Sequence, residues 1–193
     1  MQLKQGLAIV EGSGEERVVV TLPVLPDLGY DGVAALVADD KKSPIEGAEP
    51  KATVIRSYLV RMIEQPGETL FEFRNKVQIS ATNLDATCEQ MDVIARDKSK
   101  SASTGQLDER LQVERIEANE AVMIEQSGRV ATARKAVILP VEGRLILEGD
   151  AVVTDAQGGR VSGHRLFLNQ GERRAVIDGG AGRAKITLPE FQL

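Results

Sequence analysis

The sequence predicts an all-β protein in which antiparallel hairpins stack along one axis, as two facing sheets over an aliphatic lining. Three observations carry that reading. A strand-turn-strand pattern recurs at intervals of roughly thirty residues. The apolar content, 42% of 193 residues, is mostly Val, Ile, Leu and Ala with aromatics at only 3%, a branched aliphatic set that suits pleated strands. Eighteen Gly and seven Pro punctuate the chain as short strands with tight turns require.

Taken in order, residues 1–69 are the less regular part. Val18-Val19-Val20-Thr21-Leu22, Thr53-Val54-Ile55 and Tyr58-Leu59-Val60-Arg61-Met62-Ile63 are predicted strands, and Gln65-Pro66-Gly67-Glu68 a turn. Gly12-Ser13-Gly14 reads as another turn. Gly32 to Asp40 has the propensity of a short helix, but Ser43-Pro44 would stop either element, and it is read as a strand followed by a loop.

Residues 70–193 hold the clear repeats, within one domain spanning 1–193. The opening strand Asn75-Lys76-Val77-Gln78-Ile79 recurs as Asn119-Glu120-Ala121-Val122-Met123-Ile124 and as Gly149-Asp150-Ala151-Val152-Val153-Thr154, at offsets of 44 and 30. The following strand, Thr87 to Val93, recurs as Thr132 to Ile138 and Ser162 to Leu168, at offsets of 45 and 30. The copies therefore keep register, except for one residue lost in the first hairpin turn. Lys98 to Gln106 is a small-residue polar insertion, and Gly128, Gly143, Gly158-Gly159, Gly171 and Gly179-Gly180 mark further turns. Alternation places Phe71, Phe73, Val77 and Ile79 on one face, with Leu145, Leu147, Ala151 and Val153 matching them, and that face is expected to point inward.

Charge and chemistry exclude several classes. A net charge of −5 and few aromatics argue against nucleic-acid binding, which needs a basic surface and stacking platforms. Residues 129–193 nevertheless carry ten Lys or Arg against seven Asp or Glu, whereas 1–128 carry 14 against 22. That asymmetry is either a solvated mixed surface or an end that meets an anionic partner. Cys88 is the only cysteine, so neither an intramolecular disulfide nor a thiolate cluster can form, and it is expected to be a small core residue. No run approaches the roughly 18 apolar residues of a membrane-spanning helix, so a soluble chain is expected. Met1 to Gly6 lacks an apolar signal run, as in a cytosolic protein or one whose export signal has been removed.

No catalytic constellation emerges. His164 is the sole histidine, expected as a strand residue, and no Gly-x-Ser-x-Gly or Gly-x-x-x-x-Gly-Lys-Ser/Thr motif occurs. Asp39-Asp40 and Asp108-Glu109 are adjacent acids, which on a strand point to opposite faces. In Gly179-Gly180-Ala181-Gly182 the acid that a calcium-binding roll needs two positions on is Ala184. The expectation is a non-enzyme without cofactor or metal.

Leu145-Ile146-Leu147-Glu148-Gly149-Asp150-Ala151-Val152-Val153-Thr154-Asp155, followed by Arg160-Val161-Ser162-Gly163-His164-Arg165-Leu166, resembles the repeat of the OstA-like lipopolysaccharide-transport family, best over residues 70–180. Leu25 to Gly32 looks like the lead-in segment of some larger members, while Asn75 and Asn119 stand where Gly is usual, which the left-handed tolerance of Asn permits. The insertion at 98–106 departs from a simple bridge subunit. The resemblance implies a β-jellyroll open at both ends, without cofactor, in the periplasm, with its export signal removed. Such units dock by strand addition with other OstA-like domains, with an outer-membrane translocon, or head to tail with further copies.

It also implies a groove for the acyl chains of lipopolysaccharide or lipid A. By position in the repeat the lining would comprise Val77, Ile79, Met91 and Val93 in the first copy, and Ala121, Met123, Ala136 and Ile138 in the second. The third copy adds Leu147, Val153, Leu166 and Leu168. Lipid phosphates would meet Arg129, Arg134, Arg144, Arg165, Arg173 and Arg174. Against this stands ordinary core packing for the apolar set, solvated surface for the arginines, and a non-lipid scaffold assembling edge to edge for the whole.

Overall fold

The computed structural model describes residues 6–13, 16–22, 25, 51–82, 84–97, 111–126, 128–169 and 174–187. The expected strand in 32–40, the insertion at 98–106, Gly171 and both acidic pairs lie outside these.

The fold is all-β and antiparallel. Its strands are β1 (Gly6–Glu11), β2 (Val18–Leu22), β3 (Thr53–Ser57), β4 (Leu59–Gln65), β5 (Glu68–Ser80) and β6 (Asp85–Asp97). After them come β7 (Leu111–Gln126), β8 (Arg129–Leu139), β9 (Arg144–Thr154), β10 (Arg160–Asn169), β11 (Arg174–Asp178) and β12 (Lys185–Thr187). From β4 to β11 each strand pairs with the next in sequence, as stacked hairpins must. Several of the turns are those that the glycines announce, while the β5–β6 turn closes without one, through the Ala81 N–H to the Leu84 carbonyl. Gln65 pairs with Glu68 across Pro66-Gly67, and Gly67 takes φ +84°, open to a residue without Cβ at little cost. Gly143, at φ +58°, closes a single 3-10 turn at Pro140–Glu142 by donating its N–H to the Pro140 carbonyl.

The two expected facing sheets are two halves of one continuous, open twelve-stranded sheet. β5 to β10 run through both halves, whereas towards the ends each rung is split. β4 pairs with Glu68 to Arg74 of β5, and β3 with Gln78 to Ser80. β11 pairs with Arg165 to Asn169 of β10, and β12 with Arg160 to Ser162.

The line between the halves is a row of β-bulges. In β5, β7 and β9 two consecutive residues adopt left-handed backbone: Asn75 and Lys76 (φ 68° and 52°), Glu120 and Ala121 (63° and 49°), Gly149 and Asp150 (77° and 54°). Every non-glycine residue of positive φ among the described residues belongs to one of these pairs. Each bulge inserts one residue opposite its partner strand and bends the sheet there. The same line continues where Tyr58, between β3 and β4, donates its N–H to Asn75 and accepts from Gly12.

These bulges correct the frame of the repeat. The left-handed pairs begin at 75, 120 and 149, so the opening strands are offset by 45 (75 to 120) and 29 (120 to 149), not 44 and 30. On the return strands Gln90, Lys135 and Arg165, which pair with Arg74, Asn119 and Glu148, are offset by 45 (90 to 135) and 30 (135 to 165). The first two hairpins therefore have equal spacing, and the change of one residue falls in the last. Aligning Asn75 with Asn119 by identity misplaced the middle copy.

One face of the bent sheet is buried and the other is largely exposed, Val137 being a buried exception. Phe73, Met91, Val93, Ile116, Leu145, Leu147 and Leu166 fill one half, and Ile55, Val77, Ile79, Val122, Val153 and Val161 the other, as a single apolar cluster. Each such side chain contributes about 1.5–3 kcal/mol relative to exposure. With no helix among the described residues to cover it, a sheet buries a whole face like this by folding over on itself.

Candidate functional site

The interior is the candidate site, and strand parity determines who lines it. Within β5 the inward residues are Phe71, Phe73, Val77 and Ile79, within β7 Ile116, Ala118, Val122 and Ile124, and within β9 Leu145, Leu147, Ala151 and Val153. Each series steps by two, and the one step left out is the first residue of the bulge, which points outward.

Ten of the twelve sequence-derived lining residues are on this face. Val77, Ile79, Met91, Val93, Ala136, Ile138, Leu147, Val153, Leu166 and Leu168 are all buried in the cluster. The other two are corrected: Ala121 is exposed and Met123 is 38% exposed on the outer face. The cause is the frame error, since the residues equivalent to Val77 and Ile79 are Val122 and Ile124. The even-numbered apolar series of β7 was the signal that places them.

Opposite each bulge the partner strand carries a small residue. Val77 faces Cys88, Val122 faces Ala133, and Ala151 faces Gly163. At Gly163 a Cβ would come within 2.8 Å of Ile177, so the bend leaves no room there. Cys88 is buried, as the sequence suggested, and its Sγ lies 3.2 Å from the Gln90 carbonyl it donates to. Burial pushes its thiol up to about 12. The thiolate is the reactive form, so alkylation by iodoacetamide at pH 8 should be at least tenfold slower in folded than in urea-unfolded protein, read by intact mass. Equal rates would place Cys88 at the surface.

The arginines are not gathered into one phosphate site. Arg134 pairs with Asp150 at 3.1 Å, Arg144 with Glu142 at 3.1 Å, and Arg165 with Glu148 at 2.8 Å, all on the outer face or at a strand end. Only Arg129 belongs to the inner face, because it pairs across the turn with the inward Gln126. Arg173 and the side chain of Arg174 lie outside the described residues. On the outer face Glu117 accepts from Lys135 at 2.8 Å and pairs with Arg115, and this holds its carboxyl below the usual carboxylate range.

Buried polar residues are few. Thr53 accepts from the Leu25 N–H at 3.2 Å, and Ser57 donates to the Leu59 carbonyl at 3.0 Å. Gln126, 8% exposed, has neither amide atom partnered. His164 is an exposed residue of β10 beside Gly180. Among the described residues no group of three or more His, Cys, Asp or Glu is placed to hold a metal, and no helix is long and apolar enough to cross a membrane.

Both ends of the sheet present apolar side chains beside an unpaired strand edge. In β1, Leu7, Ile9 and Val10 are more than half exposed, and Val10 stands opposite the buried Val60 in the inward row. At the far end Ile186 of β12, 49% exposed, stands opposite the buried Val161. Among the described residues the outer edges of β1, β11 and β12 have no partner strand.

The fold and interior define an open antiparallel β-repeat protein whose two half-sheets enclose an aliphatic lining. Family models and curated proteins give no match to the chain.

Proposed function

We propose that the protein binds and carries the acyl chains of an amphipathic lipid, with lipopolysaccharide or lipid A as the intended cargo, in the interior between its half-sheets. The observation that supports this best is the inner face itself: it is apolar and mostly aliphatic from Leu22 to Leu168, and no charged side chain is buried among the described residues. Such a lining offers about 25 cal/mol for each Å² of acyl surface taken from water, without directional bonds that would hold a lipid in one place.

The open edges support the second half of the reading. β1 at one end and β11 with β12 at the other are suited to strand addition with OstA-like domains of a transport bridge, with an outer-membrane translocon, or head to tail with further copies. Val10 and Ile186 would then be covered by the neighbour's inward row. The compartment that goes with this cargo is the periplasm, and no enzymatic step belongs to it.

A scaffold role without lipid is favoured by one specific observation: the inward side chains already fill the interior at 0–4% exposure for most positions. Lipid extraction of the purified protein followed by mass spectrometry, with titration of lipid A, separates the two. Carriage predicts copurifying acylated lipid and saturable binding of about one lipid per chain. Absence of saturable binding by lipopolysaccharide, lipid A or any extracted lipid would leave the scaffold.

A further inference from the structure

Among the described residues, Gln126 is the one buried inward side chain whose polarity has no internal use. It continues the inward series Val122, Ile124 of β7, at the last position before the turn that carries Gly128, and so stands at the rim of the apolar interior. Its side chain is 8% exposed, yet neither the amide nitrogen nor the amide oxygen meets a hydrogen-bond partner. The other two buried polar side chains among the described residues, Thr53 and Ser57, are both hydrogen-bonded. A buried amide left unmatched is costly, and a leucine or methionine there would pack without that cost.

We infer that the Gln126 carboxamide is a recognition point for the head end of the bound chain, and that it selects acyl chains carrying an amide or a hydroxyl group near that end over plain hydrocarbon chains. The inference rests on the reading of the interior as an acyl-chain site. A carboxamide presents N–H donors and a carbonyl acceptor side by side. The complementary ligand groups are those with both functions: a secondary amide, with its N–H and C=O, or a hydroxyl, which donates and accepts. An unsubstituted chain passing the same point satisfies neither atom. The rim position also fits the order of groups along an amphipathic lipid, whose tail would occupy the inner rows while its linkage stops at Gln126.

The experiment compares two probes of equal length and charge, N-dodecanoylglycine and pentadecanoate, each titrated by calorimetry into the full chain below its critical micelle concentration. Wild type should bind the amide probe about tenfold more tightly, the value of two modest hydrogen bonds. Gln126→Met should bind both probes alike and melt about 2–4 °C higher than wild type, since the unmatched amide is gone. Equal affinity of wild type for the two probes would overturn the inference and leave lipid carriage standing, as would a Gln126→Met protein that keeps the preference. Binding of neither probe would remove the acyl-chain reading as well. Should Gln126→Met fail to fold, Gln126→Leu replaces it, and the wild-type ratio is decisive without either variant.

Discussion

Val153→Asp should destabilise the protein by about 3–5 kcal/mol, whereas Met123→Asp should change its stability by less than about 0.5 kcal/mol. Val153 is 3% exposed, with Ala131 and Val161 as its cross-strand neighbours on the same inward face. A carboxylate there is desolvated between these two aliphatic neighbours, and Arg129, the cation on this face, stands at the strand end beside Gln126 rather than opposite it. Met123 is 38% exposed on the outer face, where Thr132 and Thr87 are its neighbours, and an aspartate stays hydrated. In the repeat as aligned by residue identity, 123 and 153 occupy the same position, so the one-residue difference in frame, an even-numbered inward series in β7 against an odd-numbered one in β9, separates their fates. Urea unfolding at pH 7 measures both. An equally large loss for Met123→Asp would restore the frame that puts it inside, and an unaffected Val153→Asp would mean that this face is wet.

What the sequence made legible, and what it hid, follows from how local each signal is. Hairpin order and the inward series Phe71-Phe73-Val77-Ile79 and Leu145-Leu147-Ala151-Val153 were readable, because alternation is a property of single strands. The bend was not. Its three left-handed pairs are Asn-Lys, Glu-Ala and Gly-Asp, which share no residue type, so no compositional mark announces them. β1 was also missed: Leu7-Ala8-Ile9-Val10 is continuously apolar, and an edge strand open on both faces imposes no alternation. β11 and β12 are short outer pieces of one split rung, and their existence depends on β10 offering two separate registers. The arginines show the same limit, since Arg165 meets Glu148 through a cross-strand register that only the folded hairpin sets. Gln126 was overlooked because a polar residue before a glycine turn reads as part of the turn, although two-residue counting from Val122 carries it inward.

The bulge row yields the second large effect. Gly149 sits at φ +77°, and a Cβ there would approach the Arg134 Nε to 2.7 Å and its Cβ to 2.9 Å. Gly149→Val adds a β-branched side chain to a left-handed position, so a loss of about 2–4 kcal/mol is expected, divided between backbone strain and the collision with Arg134. The Arg134 guanidinium can swing away although its Cβ cannot, and its ion pair with Asp150 is exposed on both sides, so losing that pair contributes little. The division is therefore testable: Arg134→Ala removes the contacts beyond its Cβ and should restore only that part, and at least about 1 kcal/mol should persist in the double variant as strain and the remaining Cβ contact. Ala121 supplies the converse. It holds φ +49° with a Cβ, and Ala121→Gly should stabilise the protein by about 0.5–1 kcal/mol, because the strain relieved exceeds the chain entropy added to the unfolded state. Opposite signs at 121 and 149, read from thermal melts, are what a shared left-handed bend demands. A destabilised Ala121→Gly together with a neutral Gly149→Val would mean that these strands run straight, and a straight sheet cannot close its two halves over a common interior.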